Sequence, residues 1–225
     1  MVFSVAPPWT RLGKTLESKV RKALFEFTLL QDVEKLTVAL SGGKDSLTML
    51  FLLRAILGNG FPNIPLAAVH IDGEFSCGAG VSRSFIEKVC QQCNIPLHVK
   101  TATQKRSQLQ CYSCSRERRR LLFEAAKEIG SSHIAFGHHR DDAVQTLFMN
   151  IYHKAEFCPL LPKVPMHHYG VTIIRPLIYV EEREIKQFAT MYRFQRISCR
   201  CPVGQTSKRR TAEEILSHIE NHFPN

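Results

Sequence analysis

The chain has 225 residues, 44% of them hydrophobic and 22% charged, which is enough to bury one good-sized core in a single soluble domain. No stretch approaches the roughly 18 uninterrupted apolar residues of a membrane span, and Met1–Pro8 lacks a basic segment followed by an apolar run, so the expected location is the cytoplasm, away from any membrane. A net charge of +10, clustered at Lys14–Lys22, Arg116–Arg120 and Lys208–Arg210, points to a polyanionic partner.

Along the chain, apolar residues at Leu12, Leu16, Val20, Ala23, Leu24 and Phe27 predict an amphipathic helix over Leu12–Leu30 with a basic outer face. Leu36–Leu40 reads as a buried strand and Leu47–Leu57 as a largely apolar helix ended by Gly58-Asn59-Gly60. The pattern continues with strand Leu66–Ile71, helix Ser82–Cys93, strand Leu97–Lys100, helix Arg116–Ile129, strand His133–Phe136 and helix Asp141–Ile151. Beyond Tyr152 the rhythm weakens to a strand over Val171–Arg175, a helix over Glu181–Met191 and a last helix starting at the capping-box spacing Thr211-x-x-Glu214. Alternation of this kind predicts an open, mainly parallel twisted α/β sheet with helices on both faces. The expected division is a helical arm over 1–34, a nucleotide-binding domain with a Cys-rich site over 35–210 and a C-terminal helix over 211–225.

Open parallel sheets bind ligands beyond the carboxyl ends of their strands, and three chemically loaded segments fall at such ends. In the first, Ser41, Gly42, Gly43, Lys44, Asp45 and Ser46 join a strand to a helix. Glycines let the backbone approach a ligand, and the amides that open a helix favour an anion, so the segment is a phosphate cradle. Lys44 can pair a phosphate as a point charge, while Asp45 and Ser46 can orient phosphate or hold Mg²⁺. The spacing is not that of a Walker loop. The second is Asp72, which taken alone is a turn residue. The third is Gly137-His138-His139-Arg140-Asp141-Asp142, whose paired carboxylates can ligand Mg²⁺ or cap the following helix.

Eight cysteines in a reducing compartment imply metal or redox chemistry rather than a disulfide framework. Cys111-Tyr112-Ser113-Cys114 precedes the basic helix, and Cys199-Arg200-Cys201-Pro202 lies downstream. A C-x-x-C pair joined by Cys201 or Cys199 supplies three thiolates, and a three-ligand centre leaves an open position for a substrate atom. The spacing alone fits zinc as well as iron-sulfur. Cys77, Cys90, Cys93 and Cys158 carry no further meaning beyond the weak Cys90-x-x-Cys93 spacing.

Ser41-Gly42-Gly43-Lys44-Asp45-Ser46 resembles the S-G-G-x-D-S signature of PP-loop enzymes, which share the adenine nucleotide alpha hydrolase-like fold and cleave ATP between the α and β phosphates. With C-x-x-C-S-R-x-R-R, G-H-H-R-D-D, R-P-L and C-P-x-G-x-x-S-K-R following in order, the chain resembles the tRNA 2-thiocytidine synthetase family from about Leu12 to Arg210. The resemblance implies an ATP-dependent tRNA sulfurtransferase that adenylates the C2 oxygen of cytidine 32 in the anticodon loop and replaces it with sulfur. It places a 4Fe-4S cluster on Cys111, Cys114 and Cys201, and sets Asp72 near the adenosine. Gly137 and His138 join Ser41–Ser46 in binding ATP, Lys44, Asp45 and Asp142 are catalytic, and Asp141 and Asp142 hold Mg²⁺. Cys199 is off the pattern, since many members carry C-x-x-C there. The basic helix supplies Arg116, Arg118, Arg119 and Arg120 for tRNA phosphates. A sulfur donor such as a cysteine desulfurase is implied, and a homodimer is compatible with it. Lysidine synthesis would leave the cysteines idle and normally needs an added tRNA-binding domain. A non-catalytic metal- and nucleotide-binding tRNA-binding protein would have no use for Lys44, Asp45 and Asp142.

Overall fold

The computed structural model describes residues 5–73, 82–103, 111–193 and 208–222. In chain order its elements are α1 (Arg11–Glu26), β1 (Leu36–Ala39), α2 (Lys44–Ile56), β2 (Leu66–Asp72), α3 (Arg83–Cys93), β3 (Leu97–Thr101), α4 (Cys111–Glu128), β4 (His133–Ala135), α5 (Arg140–Lys154), β5 (Lys163–Met166), β6 (Val171–Ile174), α6 (Glu182–Met191) and α7 (Lys208–His222). The strands form one six-stranded sheet in the order β3-β2-β1-β4-β6-β5. All pairings are parallel except the last, where β5 runs against β6 with Val164 opposite Ile173.

Strands covered on both faces need apolar residues at every position, which is why β1 and β2 read as nearly continuous hydrophobic runs. Val38, Ala68, Ala135 and Ile174 point into a core shared with Leu16 and Val20 of α1, Leu50 and Leu53 of α2, Ile86 of α3 and Phe188 of α6. Their neighbours Val69, Ile71, Ile134 and Ile173 face the opposite side and meet Leu122, Phe123 and Ala126 of α4. Helices therefore cover both faces, as the alternation predicts. The N-terminal helix is part of the larger core, its buried stripe being Leu16, Val20, Ala23 and Leu24.

Helix α1 ends at Glu26 rather than Leu30, α2 starts at Lys44 rather than Leu47 and α5 runs on to Lys154, and further elements differ from the sequence reading. Helix α4 begins at Cys111 rather than Arg116, because nothing in Cys-Tyr-Ser-Cys-Ser breaks a helix. The cysteine pair thus sits on the helix instead of before it. Strand β5 was not foreseen; Pro165 argues against a strand, but an edge position needs no inward donor from it. Helix α7 starts at Lys208, which puts Thr211 inside its first turn instead of at its cap.

Candidate active site

Strands β1 and β4 are neighbours at the centre of the sheet, with β2 and β3 on one side and β6 and β5 on the other. The loops that leave their carboxyl ends, 40–43 and 136–139, open side by side. Gly137 brings them into contact: a Cβ there would stand 3.1 Å from the carbonyl carbon of Asp45 and 3.1 Å from the amide nitrogen of Ser46. Two of the segments singled out in the sequence therefore form one site at the switch point of the sheet.

The first loop is fastened from inside. Gly43 N donates to Ser41 Oγ at 3.3 Å, Ser46 Oγ donates to the Gly43 carbonyl at 3.0 Å, and the two serine hydroxyls lie 3.1 Å apart. Ser46 is buried, so its hydroxyl serves loop closure in this state. Gly42 takes a φ of 81°, in the left-handed region that favours glycine. The cap of α2 is Gly43, which has no side chain to satisfy the first amides, and an anion is their natural partner. Lys44 Nζ lies 2.8 and 3.1 Å from the two oxygens of Asp45 and 3.1 Å from Glu182 Oε1. Burial opposes its charge, but these carboxylates outweigh burial and raise its pKa.

In the second loop the buried His139 is ringed by acids. Its Nε2 lies 3.4 Å from Asp142 Oδ2 and 3.8 Å from Asp45 Oδ1, and its Nδ1 lies 3.5 Å from Asp141 Oδ2. None of these is a well-formed hydrogen bond, and Nδ1 has no hydrogen-bond partner. Burial disfavours the imidazolium, yet the three carboxylates together raise the His139 pKa. Asp142 accepts from the His139 amide at 3.0 Å and caps α5, while Asp141 accepts from the Glu182 amide at 2.8 Å and caps α6. Against the opposing effect of burial, His139 and that amide bring the Asp141 carboxyl down to about 2. Among the described residues no group of three His, Cys, Asp or Glu side chains is arranged to hold a metal ion.

Sequence reasoning missed His139, Glu182 and Arg175 as site residues. Glu182 opens α6, and its carboxylate spans Lys44 and Lys186, the latter at 2.8 Å. Arg175, which follows β6, is buried and donates to the Leu161 carbonyl and, at 3.4 Å, to His138 Nδ1. Burial first and then the nearby Arg119 lower its pKa to about 10. The R-P-L run at a strand end was the available signal for Arg175. Glu182 had none, because an acidic residue at a helix start reads as a cap.

The remaining candidates spread around this centre. Asp72 ends β2, where its Oδ1 accepts from Gly73 N at 2.8 Å as a turn residue does. His138 stacks on Phe136, ring centroids 5.6 Å apart. The arginines of α4 divide: Arg118 is close enough to help depress the pKa of the buried His70, Arg119 acts on Arg175, and Arg120 pairs with Glu124 at 2.5 Å. Arg116 is exposed. Cys111 and Cys114 lie one turn apart at the start of α4, with Cys114 half-buried. Cys199 and Cys201 lie outside the described residues. Burial pushes the Cys90 thiol up to about 12 and raises that of Cys93, as befits inert core cysteines. No helix among the described residues is long and apolar enough to cross a membrane.

With this geometry in hand, the chain matches the PP-loop domain over residues 12–198. It is 33% identical over 221 residues to a tRNA-cytidine(32) 2-sulfurtransferase of Geobacter sulfurreducens, covering 94% of this chain and 85% of the relative. A protein of the same name from Paraburkholderia xenovorans is 32% identical, covering 95% of this chain and 66% of its own length. Among solved structures it is similar to the U34-tRNA thiolase NcsA from Methanococcus maripaludis with its 4Fe-4S cluster. There the TM-score is 0.76 and the identity 26%, over 95% of this chain and 75% of the other.

Proposed function

We propose that this chain, which belongs to the PP-loop family, is an ATP-dependent tRNA sulfurtransferase that replaces the C2 oxygen of cytidine 32 with sulfur. The observation that carries this reading is 33% identity over nearly the whole chain to a tRNA-cytidine(32) 2-sulfurtransferase. The fused pair of loops at the switch point supports it from the side of chemistry.

The first-turn amides of α2 and Lys44 hold the β and γ phosphates, as the uncapped helix start and the half-buried ammonium allow. The base oxygen attacks the α-phosphorus and pyrophosphate leaves, so that a poor leaving group becomes an adenylate. Sulfide then adds at C2 and AMP departs with the former oxygen. Gly137, which packs on the first turn of α2, and its neighbour His138 would join Ser41–Ser46 in binding ATP, and Asp72, at the end of β2 beside β1, would lie near the adenosine. Asp45 and Asp142, with Asp141 beside them, are the groups that would hold Mg²⁺.

Cys111 and Cys114 fit a shared iron-sulfur cluster: they lie one turn apart at a helix start, where the dipole favours anionic thiolates. Together with Cys201 they would hold a 4Fe-4S cluster, which would supply a position for the incoming sulfur. Arg116, two residues after Cys114 on α4, and Arg118, Arg119 and Arg120 would then be available for tRNA phosphates. A cysteine desulfurase is the class of enzyme that would deliver the sulfur as a persulfide, with a thiol reductant supplying the two electrons that bring it to sulfide.

The test is anaerobic reconstitution with iron and sulfide, followed by incubation with tRNA, ATP and a sulfur source and mass analysis of the nucleosides. Thiocytidine with matching AMP and pyrophosphate is the expected result. Lysidine, or an unmodified tRNA with the cluster intact, would refute the proposal.

A further inference from the structure

We propose that Glu182 is a positioning residue for Lys44, a tethered carboxylate that occupies the lysine until the phosphates of ATP displace it and that reclaims it when pyrophosphate leaves. The inference rests on the reading of Ser41–Ser46 as the pyrophosphate cradle. Lys44 has two anionic partners of different kinds. Asp45, at 2.8 Å, is its chain neighbour on the same helix and moves with it. Glu182, at 3.1 Å, comes from α6 and is the partner that can part from it.

Four contacts fix Glu182 in front of the loop. Its amide donates to Asp141, which ties the start of α6 to the other half of the site. The preceding Glu181 is buried and pairs with Arg140 at 3.0 Å and with Lys19 at 3.7 Å. Glu184 adds a second hold, with Lys19 Nζ 2.7 Å away. The carboxylate therefore stands on a rigid mount aimed at Lys44 rather than on a free loop.

Lys186 completes the device. Its exposed ammonium, 2.8 Å from Glu182 Oε2, stays with the carboxylate after Lys44 has been taken by phosphate, so displacement strands no unpaired charge. A phosphate group carries more charge than a carboxylate and adds the first-turn amides of α2 as further donors, so it outcompetes Glu182 when present.

The probe is inorganic pyrophosphate, titrated calorimetrically into the full-length protein with Mg²⁺ present. Glu182→Gln should bind it about fivefold more tightly than the native protein, the factor a partly screened ion pair represents. Lys186→Met, which leaves Glu182 wholly to Lys44, should bind it more weakly and, being an exposed change, tests the idea even if Glu182→Gln unfolds. AMP, which lacks the phosphates that reach Lys44, should bind all three proteins alike. Unchanged or weaker pyrophosphate binding in Glu182→Gln overturns the proposal, since a metal-holding or purely structural glutamate gives that result. Thiolation of tRNA by the native protein is assayed alongside: pyrophosphate binding without thiocytidine defeats the tRNA reading and leaves the competition standing.

Discussion

Replacing Gly137 with alanine would place a methyl carbon 3.1 Å from both the Asp45 carbonyl carbon and the Ser46 nitrogen, and 3.3 Å from the Asp45 oxygen. All three are backbone atoms in the first turn of α2, so none can swing aside as a side-chain tip can. Ordinary contact needs about 3.5 Å or more, so the main chain of one loop must retreat by a few tenths of an ångström. Both loops resist. Phe136 N is bonded to the Ile174 carbonyl at 2.9 Å, Arg140 N to Val180 at 2.9 Å, and Leu47 N to Gly43 at 3.0 Å. Overpacking of this kind costs about 1–3 kcal/mol, and at this chain length each kcal/mol lowers Tm by roughly 2–4 °C. The same retreat shifts the phosphate-facing amides relative to Asp142, for which we expect AMP release with tRNA to fall at least about tenfold. Calorimetry and a coupled AMP assay read the two effects. Gly43→Ala is the steric control: its Cβ would meet Ser41 Oγ at 3.4 Å, so its Tm should fall less. If Gly137→Ala keeps both Tm and AMP release at native values, the two loops are not in contact and the site as described is wrong.

Because His139 has a raised pKa, its contribution to stability is complete below its ordinary value of 6.5 and is lost as pH rises through the folded value. The Tm advantage of the native protein over His139→Gln should therefore shrink on going from pH 6 to alkaline pH; a pH-independent difference would contradict a charged His139. Asp141 behaves in the opposite sense, stabilising above its ordinary 3.8 and losing that effect as pH falls through about 2. Asp141→Asn removes a charged acceptor for the Glu182 amide, and thermal melts at pH 7 should show a loss of about 1 kcal/mol that fades in acid. Arg116→Ala should lower tRNA affinity and reduce the slope of log K against log salt by about 1, while Arg120→Ala, already paired with Glu124, should change it less. Equal slopes for the two variants in filter binding would mean that α4 does not sort its arginines as described.

Much of this was legible in the sequence because the signals were local. Ser41–Ser46 stands between an apolar strand and an apolar helix, and the strand-helix rhythm that follows leaves little choice but a parallel sheet. What escaped depended on distant partners. Pro165 hid an edge strand that exists because β6 offers it a free side. Glu182 and Asp141 look like ordinary helix caps, and only the approach of α6 to the loop after β4 makes them part of one site. His139 was one histidine among several until its place among Asp45, Asp141 and Asp142 raised its pKa. The four arginines of α4 formed a single patch in sequence, whereas in the structure Arg118 is half-buried and Arg120 is taken up by Glu124.

Local and global charge also pull in opposite directions here. The chain as a whole carries +10, a field that draws in tRNA from solution. At the joined loops, however, Asp45, Asp141, Asp142 and Glu182 crowd around Lys44 and His139, with Lys186 on the far side of Glu182. Four carboxylates so close together concentrate negative charge where a polyphosphate has to bind. Phosphate therefore has to arrive with a cation of its own or displace one of the carboxylates. Mg²⁺ answers the first requirement, and it enters our proposal through this charge deficit rather than through a preformed cage of ligands. Glu182 answers the second, since it has another lysine to go to. The arrangement thus separates attraction from admission: the basic surface brings the anion near, and the acidic centre admits it only when the charge is matched.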